Sequence, residues 1–164
     1  MSHIDLIRID RELLQVLQAD RTRFEARAGR LEGHATLVLE VMEQTLAMSP
    51  ADEAGPWGGY LTVDRDTGAI VGTCAFKSEP DADGAVEIAY FTFPSFERRG
   101  LATAMAQRLI ERAFASPKVR QVFANTLPEP NSSTRVLRRA GMTFAGEVVD
   151  PVDGRVWRWT LARP

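Results

Sequence analysis

The chain has 164 residues, 45% of them hydrophobic and 26% charged, with a net charge of −2. That predicts one globular domain over 1–164, able to bury roughly two-thirds of its unfolded surface without a disulfide or metal staple. One cysteine precludes an intrachain disulfide, two histidines without a Cys/His cluster leave no structural zinc site, no basic stripe favours nucleic acid, and no apolar run nears the ~18 residues of a bilayer span.

The start, Met1-Ser2-His3-Ile4-Asp5, lacks the basic-then-apolar pattern of a secretion signal, so a cytoplasmic location is expected. Residues 4–9 read as an edge strand. After Asp10, the spacing of Leu13, Leu14 and Leu17 predicts a helix, followed by the polar stretch Asp20 to Arg27. Gly29 and Gly33 interrupt. A second helix is predicted from Ala35 to Ala47, with Leu39, Met42 and Leu46 on one side, and a loop from Pro50 to Gly59.

From Tyr60 the apolar period changes to two. Tyr60–Val63 predicts a strand, Asp64–Gly68 a hairpin turn, and Ala69–Phe76 the returning strand. A turn at Pro80–Gly84 leads to a third strand, Ala85–Phe93, giving an antiparallel meander. Pro94 ends it. The segment Ser95–Ala102 opens a helix running to Phe114, with Ala102, Met105, Ala106, Leu109 and Ala113 as its inner stripe. Val119–Thr126 is a strand reached by a helical crossover, hence parallel to the one before it. A short helix at Ser132–Ala140, ended by Gly141, precedes a hairpin of Met142–Val149 and Arg155–Leu161. The fold class is therefore α/β, with a mixed sheet and helices on both faces, and not a doubly wound parallel fold.

The strand–turn–helix at Phe93–Phe114 carries most of the functional information. A helix N-terminus leaves backbone N–H groups without partners and has a positive dipole end. Gly100 permits a tight turn, Ala102 keeps the wall low, and Arg98 and Arg99 add positive charge. Such a turn suits a diphosphate, or is a plain strand-to-helix turn with solvated arginines. Two phosphate binders are excluded: the chain has neither the Gly-Lys-Ser/Thr run of a P-loop nor the three glycines of a dinucleotide fingerprint.

The stretch Glu97-Arg98-Arg99-Gly100-Leu101-Ala102 resembles the Gln/Arg-x-x-Gly-x-Gly/Ala signature of the GNAT superfamily of N-acetyltransferases, with Glu97 where Gln or Arg is usual. Further on, Asn131-Ser132-Ser133 with Val136-Leu137 and Gly141-Met142 is similar to the Asn-x-Ser…Val-Leu-x-x-x-Gly-Phe segment of its ribosomal-protein N-terminal acetyltransferase branch. The ending, Asp150-Pro151 to Trp159, also looks like small-molecule members of this branch. The resemblance spans about Ile4 to Trp159. It implies the GNAT acyl-CoA N-acyltransferase fold in a single domain, acetyl-CoA as co-substrate, no metal, and an amine acceptor, either a small molecule or a protein N-terminus. A homodimer is a family-level expectation, and neither nucleic acid nor membrane is expected as a partner.

The resemblance further implies a sheet splayed between the strands at 85–93 and 119–126, with the pantetheine arm lying in the splay. Backbone groups of Phe91, Thr92 and Phe93 would bond that arm, and one N–H there would steady the oxyanion. The diphosphate would sit on the N–H groups of Arg98, Arg99, Gly100, Leu101, Ala102 and Thr103. Asn131 would reach the arm from the far side, or else cap the helix at 132. The acceptor amine must lose a proton before it attacks. Glu87 is the candidate base: it alternates with Ala89 and Phe91, so its carboxyl projects beside apolar residues. A solvent-facing glutamate is the alternative. Many relatives place a tyrosine proton donor where this chain has Leu137, so Ser133 or Thr134 is left as a partner for the thiolate, unless both only start the helix. Cys74 reads as a small buried hydrophobe. His34, Tyr90, Tyr60 and Trp57 are candidate walls of the acceptor site, unless His34 only starts a helix or lies on the surface and Tyr90 only packs in the core; Arg135, Arg138 and Arg139 are candidate contacts for the CoA 3′-phosphate, or a solvated helix face. The alternative to an enzyme is a catalytically inactive CoA-binding sensor of the same fold.

Overall fold

Period-two burial builds the sheet. Along the meander, alternate residues enter two different cores: Tyr60, Val71, Cys74, Val86 and Ile88 one, Leu61, Val63, Ile70 and Phe93 the other. A strand buried on both faces needs helices on both, and the helices provide them. The computed structural model describes residues 3–48 and 55–164. Part of the expected Pro50–Gly59 loop, 50–54, lies outside the described residues.

The elements are β1 (Ile4–Arg8), α1 (Arg11–Ala19), α2 (Arg21–Arg27), α3 (Ala35–Met48), β2 (Gly59–Asp64), β3 (Ile70–Phe76), β4 (Ala85–Thr92), α4 (Leu101–Phe114), β5 (Gln121–Thr126), α5 (Ser132–Arg139), β6 (Thr143–Asp150) and β7 (Gly154–Ala162). The sheet order is β1-β2-β3-β4-β5-β7-β6, with β1 on one edge as expected. All pairings are antiparallel except β4 with β5. The last hairpin turns back so that β7, not β6, joins β5.

One face carries α1, α2 and α3, seated through Leu13, Val16, Phe24, Val38 and Met42. The other carries α4 and α5, seated through Leu101, Met105, Ala106, Leu109, Ala113 and Leu137. Four expectations are corrected. The polar stretch after Asp20 is a helix, α2; Asp20 accepts a bond from Arg23 N–H at 3.1 Å while its own N–H donates to the Val16 carbonyl at 2.8 Å, so one aspartate ends α1 and starts α2. On α3 the buried positions are Val38 and Met42, not Leu39 or Leu46. On α4 Ala102 is only half-buried; Ala104, Ala106 and Ala113 form the close-packed side. The helix also begins later than Ser95, because a 3₁₀ turn at Pro94–Phe96 and the bend at 97–100 come first.

Gly72 fixes how near α4 and β4 approach β3. A Cβ there would collide with the Phe91 carbonyl oxygen and lie 2.8 Å from Met105 Cε. The carbonyl is backbone and cannot swing away, so the strand itself must move. Gly72→Ala is expected to cost about 1–3 kcal/mol, seen as a lower denaturant midpoint with an unchanged slope.

Candidate functional site

The parallel pairing of β4 with β5 lasts three residues: Ala85↔Gln121, Val86↔Val122 and Glu87↔Phe123. Beyond Glu87 the strands diverge, β4 continuing to Thr92 and β5 to Thr126. Two clefts open along this divergence. The larger, of about 590 Å³, is walled by Tyr90, Phe91 and Thr92, by the bend at Glu97–Gly100, by Leu101, Ala102 and Thr103 at the start of α4, and by Ser133, Arg135 and Arg139 of α5. The smaller, of about 340 Å³, is walled by Lys77, Glu87, Asn125, Leu127 and Asp153. Tyr90 and Ser133 line both, so the clefts meet there.

The β3–β4 register decides which backbone groups of β4 face the divergence. Lys77 N–H donates to the Glu87 carbonyl at 3.0 Å, and Phe93 N–H donates to the Val71 carbonyl at 2.9 Å. In an antiparallel ladder such bonds recur every second residue. The backbone groups of Glu87, Ala89, Phe91 and Phe93 therefore turn toward β3, and those of Ile88, Tyr90 and Thr92 toward the opening. Of the expected trio, Thr92 turns its peptide groups toward the opening, and Phe91 and Phe93 turn theirs toward β3. The Phe93 side chain is also fully buried in the core under α1–α3. Tyr90 supplies the second open peptide position, which period-two register could have indicated from the sequence. The hydroxyl of Thr92 is buried without a partner.

At the start of α4 the backbone is bent for close approach. Arg98 has φ 66 and Gly100 φ 77, two left-handed residues flanking Arg99. Such a conformation turns consecutive N–H groups into one concavity. It is unfavourable for arginine by of order 1 kcal/mol, and strain of this kind gathers at functional sites. No side chain caps α4, so the N–H groups of Leu101, Ala102 and Thr103 have no intrahelical partner and open into the larger cleft. Arg99 does not line that cleft; its guanidinium lies 5.5 Å over the Phe96 ring. Arg135 and Arg139 line it, whereas Arg138 turns onto Trp159.

Of the two readings of Asn131, the structure shows the helix cap. Its Oδ1 accepts from Thr134 N–H at 3.0 Å, its N–H donates to Thr134 Oγ1 at 3.1 Å, and it does not line the larger cleft. That capping box occupies Thr134 as well, leaving Ser133 half-buried at the junction. Leu137 is fully buried in the core.

Glu87 sits on the floor of the smaller cleft, its side chain 16% exposed. The carboxyl is thus partly withdrawn from solvent. Sequence reasoning missed its partner, Lys77, whose ammonium is 3.2 Å from Glu87 Oε2 and 3.8 Å from Asp153 Oδ2. Lys77 lies opposite Glu87 on β4, and a strand pair puts facing residues on one side of the sheet. Tyr90 donates to the Ser133 carbonyl at 3.4 Å, and burial pushes its phenol up to about 12. His34 stands apart from both clefts, its ring 5.6 Å from Phe93 and 5.5 Å from Phe96, with Nε2 3.3 Å from Ser95 Oγ. Tyr60 and Trp57 are buried in the core. Among the described residues no group of three His, Cys, Asp or Glu could hold a metal, and no helix is long and apolar enough to cross a membrane.

A family model described as an acetyltransferase (GNAT) domain matches residues 8–143. The chain belongs to the GNAT family. YjdG, an uncharacterized N-acetyltransferase of Bacillus subtilis, is 30% identical over 82 residues, which cover 50% of this chain and 49% of YjdG. The chain thus spans about half the length of the curated relatives it matches. Among solved GNAT structures, the aminoglycoside acetyltransferase AAC(6')-Ib in complex with coenzyme A and kanamycin superposes with a TM-score of 0.65 at 19% identity, covering 98% of this chain and 95% of that one. RimL, a ribosomal α-N-protein acetyltransferase in complex with coenzyme A, superposes with a TM-score of 0.66 at 14% identity, covering 99% and 95%. These likenesses establish the GNAT fold, with its mixed sheet of seven strands.

Cys74 plays no part in either cleft. It is buried, and burial pushes its thiol up from 9.0 to about 11. A pKa raised by folding leaves stability unchanged below the unfolded value and removes it as pH climbs from 9 toward 11, by at most about 1.4 kcal/mol per unit. Native protein at pH 8 is therefore expected to leave a thiol-reactive disulfide reagent unconsumed, and unfolded protein to consume one equivalent.

Proposed function

We propose that this GNAT domain transfers an acetyl group from acetyl-CoA to an amine by direct attack, with both substrates bound at once. The observation that carries this reading is the meeting of two clefts at Tyr90 and Ser133, one starting at uncapped helix amides and the other ending on a carboxylate. The residues fit the co-substrate. The amides of Arg98 through Thr103 would hold the diphosphate, with Arg98, Arg135 and Arg139 offsetting the charge of Glu97 in the same wall. The open peptide groups of Tyr90 and Thr92 would hold the pantetheine amides as an added strand does.

Acetyl-CoA would supply the activated acyl group. Glu87 would take the proton of the arriving ammonium, and a β4 N–H turned to the opening would bond the oxyanion. Ser133, at the junction, would bond the departing sulfur. The acceptor is an amine in general: AAC(6')-Ib is named for aminoglycosides and RimL for a ribosomal protein, and neither identity is high enough to choose. Leu137, buried where relatives have a proton donor, favours the second reading, a CoA-binding sensor without turnover.

Calorimetry and a thiol-release screen against an amine library separate the two. Acetyl-CoA should bind at micromolar to millimolar concentration, and Gly100→Val, which cannot adopt φ 77 without strain, should weaken it at least about tenfold. Glu87→Gln should keep that affinity while slowing turnover about 10²- to 10⁴-fold. Binding with no thiol release from any amine would leave the sensor, and no binding at millimolar ligand would exclude both readings.

A further inference from the structure

The chain carries 18 arginines but only two lysines, Lys77 and Lys118. The Arg–carboxylate pairs Arg27–Glu12, Arg30–Glu32, Arg65–Asp5 and Arg155–Glu147 lie on the exposed surface. In the smaller cleft the carboxylates of Glu87 and Asp153 meet a lysine instead, its Nζ 3.2 Å from Glu87 Oε2 and 3.8 Å from Asp153 Oδ2. A guanidinium would make that pair at least as well, with two prongs and no loss of charge at any ordinary pH. What lysine adds is an amine that becomes a nucleophile once it loses one proton.

We infer that Lys77 Nζ is an internal acetyl acceptor, so that the domain modifies itself in the cleft where an outside amine would bind. The inference rests on the transfer reading above. Lys77 lines the same cleft as Glu87, Tyr90 and Ser133, and the last two also line the cleft assigned to acetyl-CoA. The side chain is 40% exposed, so it has room to swing from Glu87 toward the junction. In the step itself Glu87 takes one proton from the Lys77 ammonium. The Nζ lone pair then forms a bond to the thioester carbonyl carbon, and the carbon–sulfur bond breaks. As the adduct collapses the nitrogen gives up its second proton, which passes directly or through water to the departing thiolate so that coenzyme A ends as thiol; the first proton goes from Glu87 to solvent, and Lys77 ends as a neutral amide. No oxidant, metal or further reactant is required. The modification removes the cation that Glu87 and Asp153 share.

The test uses the whole chain with acetyl-CoA and no added amine, read by intact mass and peptide mapping. One acetyl group should accumulate on Lys77, at a rate that saturates with acetyl-CoA and exceeds that of Lys118 by about tenfold or more, a modest advantage for a positioned amine. Lys77→Arg should abolish the gain, and Glu87→Gln should slow it. A donor-free measurement accompanies it: plain coenzyme A should retard labelling of Lys77, and not of Lys118, by an amine-reactive ester. Equal rates at the two lysines, rising linearly with acetyl-CoA, would mean solution chemistry and overturn the inference. Calorimetric binding of acetyl-CoA with Lys77 left unmodified overturns it alone, whereas absence of binding overturns the transfer reading with it.

Discussion

The site depends on a pairing that stops. Three residues of β4 and β5 hold the two halves of the sheet together, and then the strands part. Each has a strong hold on its other side: β4 pairs with β3 from Ile88 to Thr92, and β5 pairs with β7 from Gln121 to Thr126. Neither can bend to close the gap without breaking that ladder. Unpaired peptide groups inside a domain cost about as much as a lost hydrogen bond each, so a parted sheet persists only where something else answers them. A ligand with amides of its own, laid between the strands, answers them in kind.

The two ends of the gap have opposite electrical character. Toward α4 stand amides, a helix dipole and the guanidinium groups of Arg98, Arg135 and Arg139. Toward the β3 end stand the Glu87 and Asp153 carboxylates around one ammonium. On the function proposed above, an anionic carrier and a cationic acceptor would be sorted to their own sides before any specific contact forms. Tyr90 lies at the boundary, and because burial holds its phenol neutral well above physiological pH it adds a dipole there and no charge.

Element order and type were largely legible in the sequence, because the change from helical spacing to period two at Tyr60 and back at Leu101 follows burial. What was less legible depends on contacts across the chain. Helix α2 has only Phe24 fully buried, too few apolar positions to declare a period. The roles of Phe91 and Phe93 turned on which edge of β4 bonds β3, a matter of register that residue types do not encode. Lys77 escaped notice because it falls between the strand read as ending at Phe76 and the turn read as starting at Pro80, and it pairs with a carboxylate only by facing Glu87. Asn131 illustrates the converse: its cap was readable locally, and the cap is what it does.

The helix starts show where stability has been withheld. Asp10, Asp20 and Asn131 each accept a bond from the backbone N–H three residues on, and so cap α1, α2 and α5. The start of α4, a helix of 14 residues seated in the main core, has Gly100 and no such bond. A serine or aspartate there would commonly add ~1 kcal/mol, but its side chain would occupy the amides that face the cleft, and φ 77 resists any residue with a Cβ. Arg98 adds a second departure from easy backbone geometry a short step earlier. A helix left uncapped, with strain gathered on one bend, is expected where a bound anion supplies the cap, since such a group stabilises the folded state in proportion to its own binding.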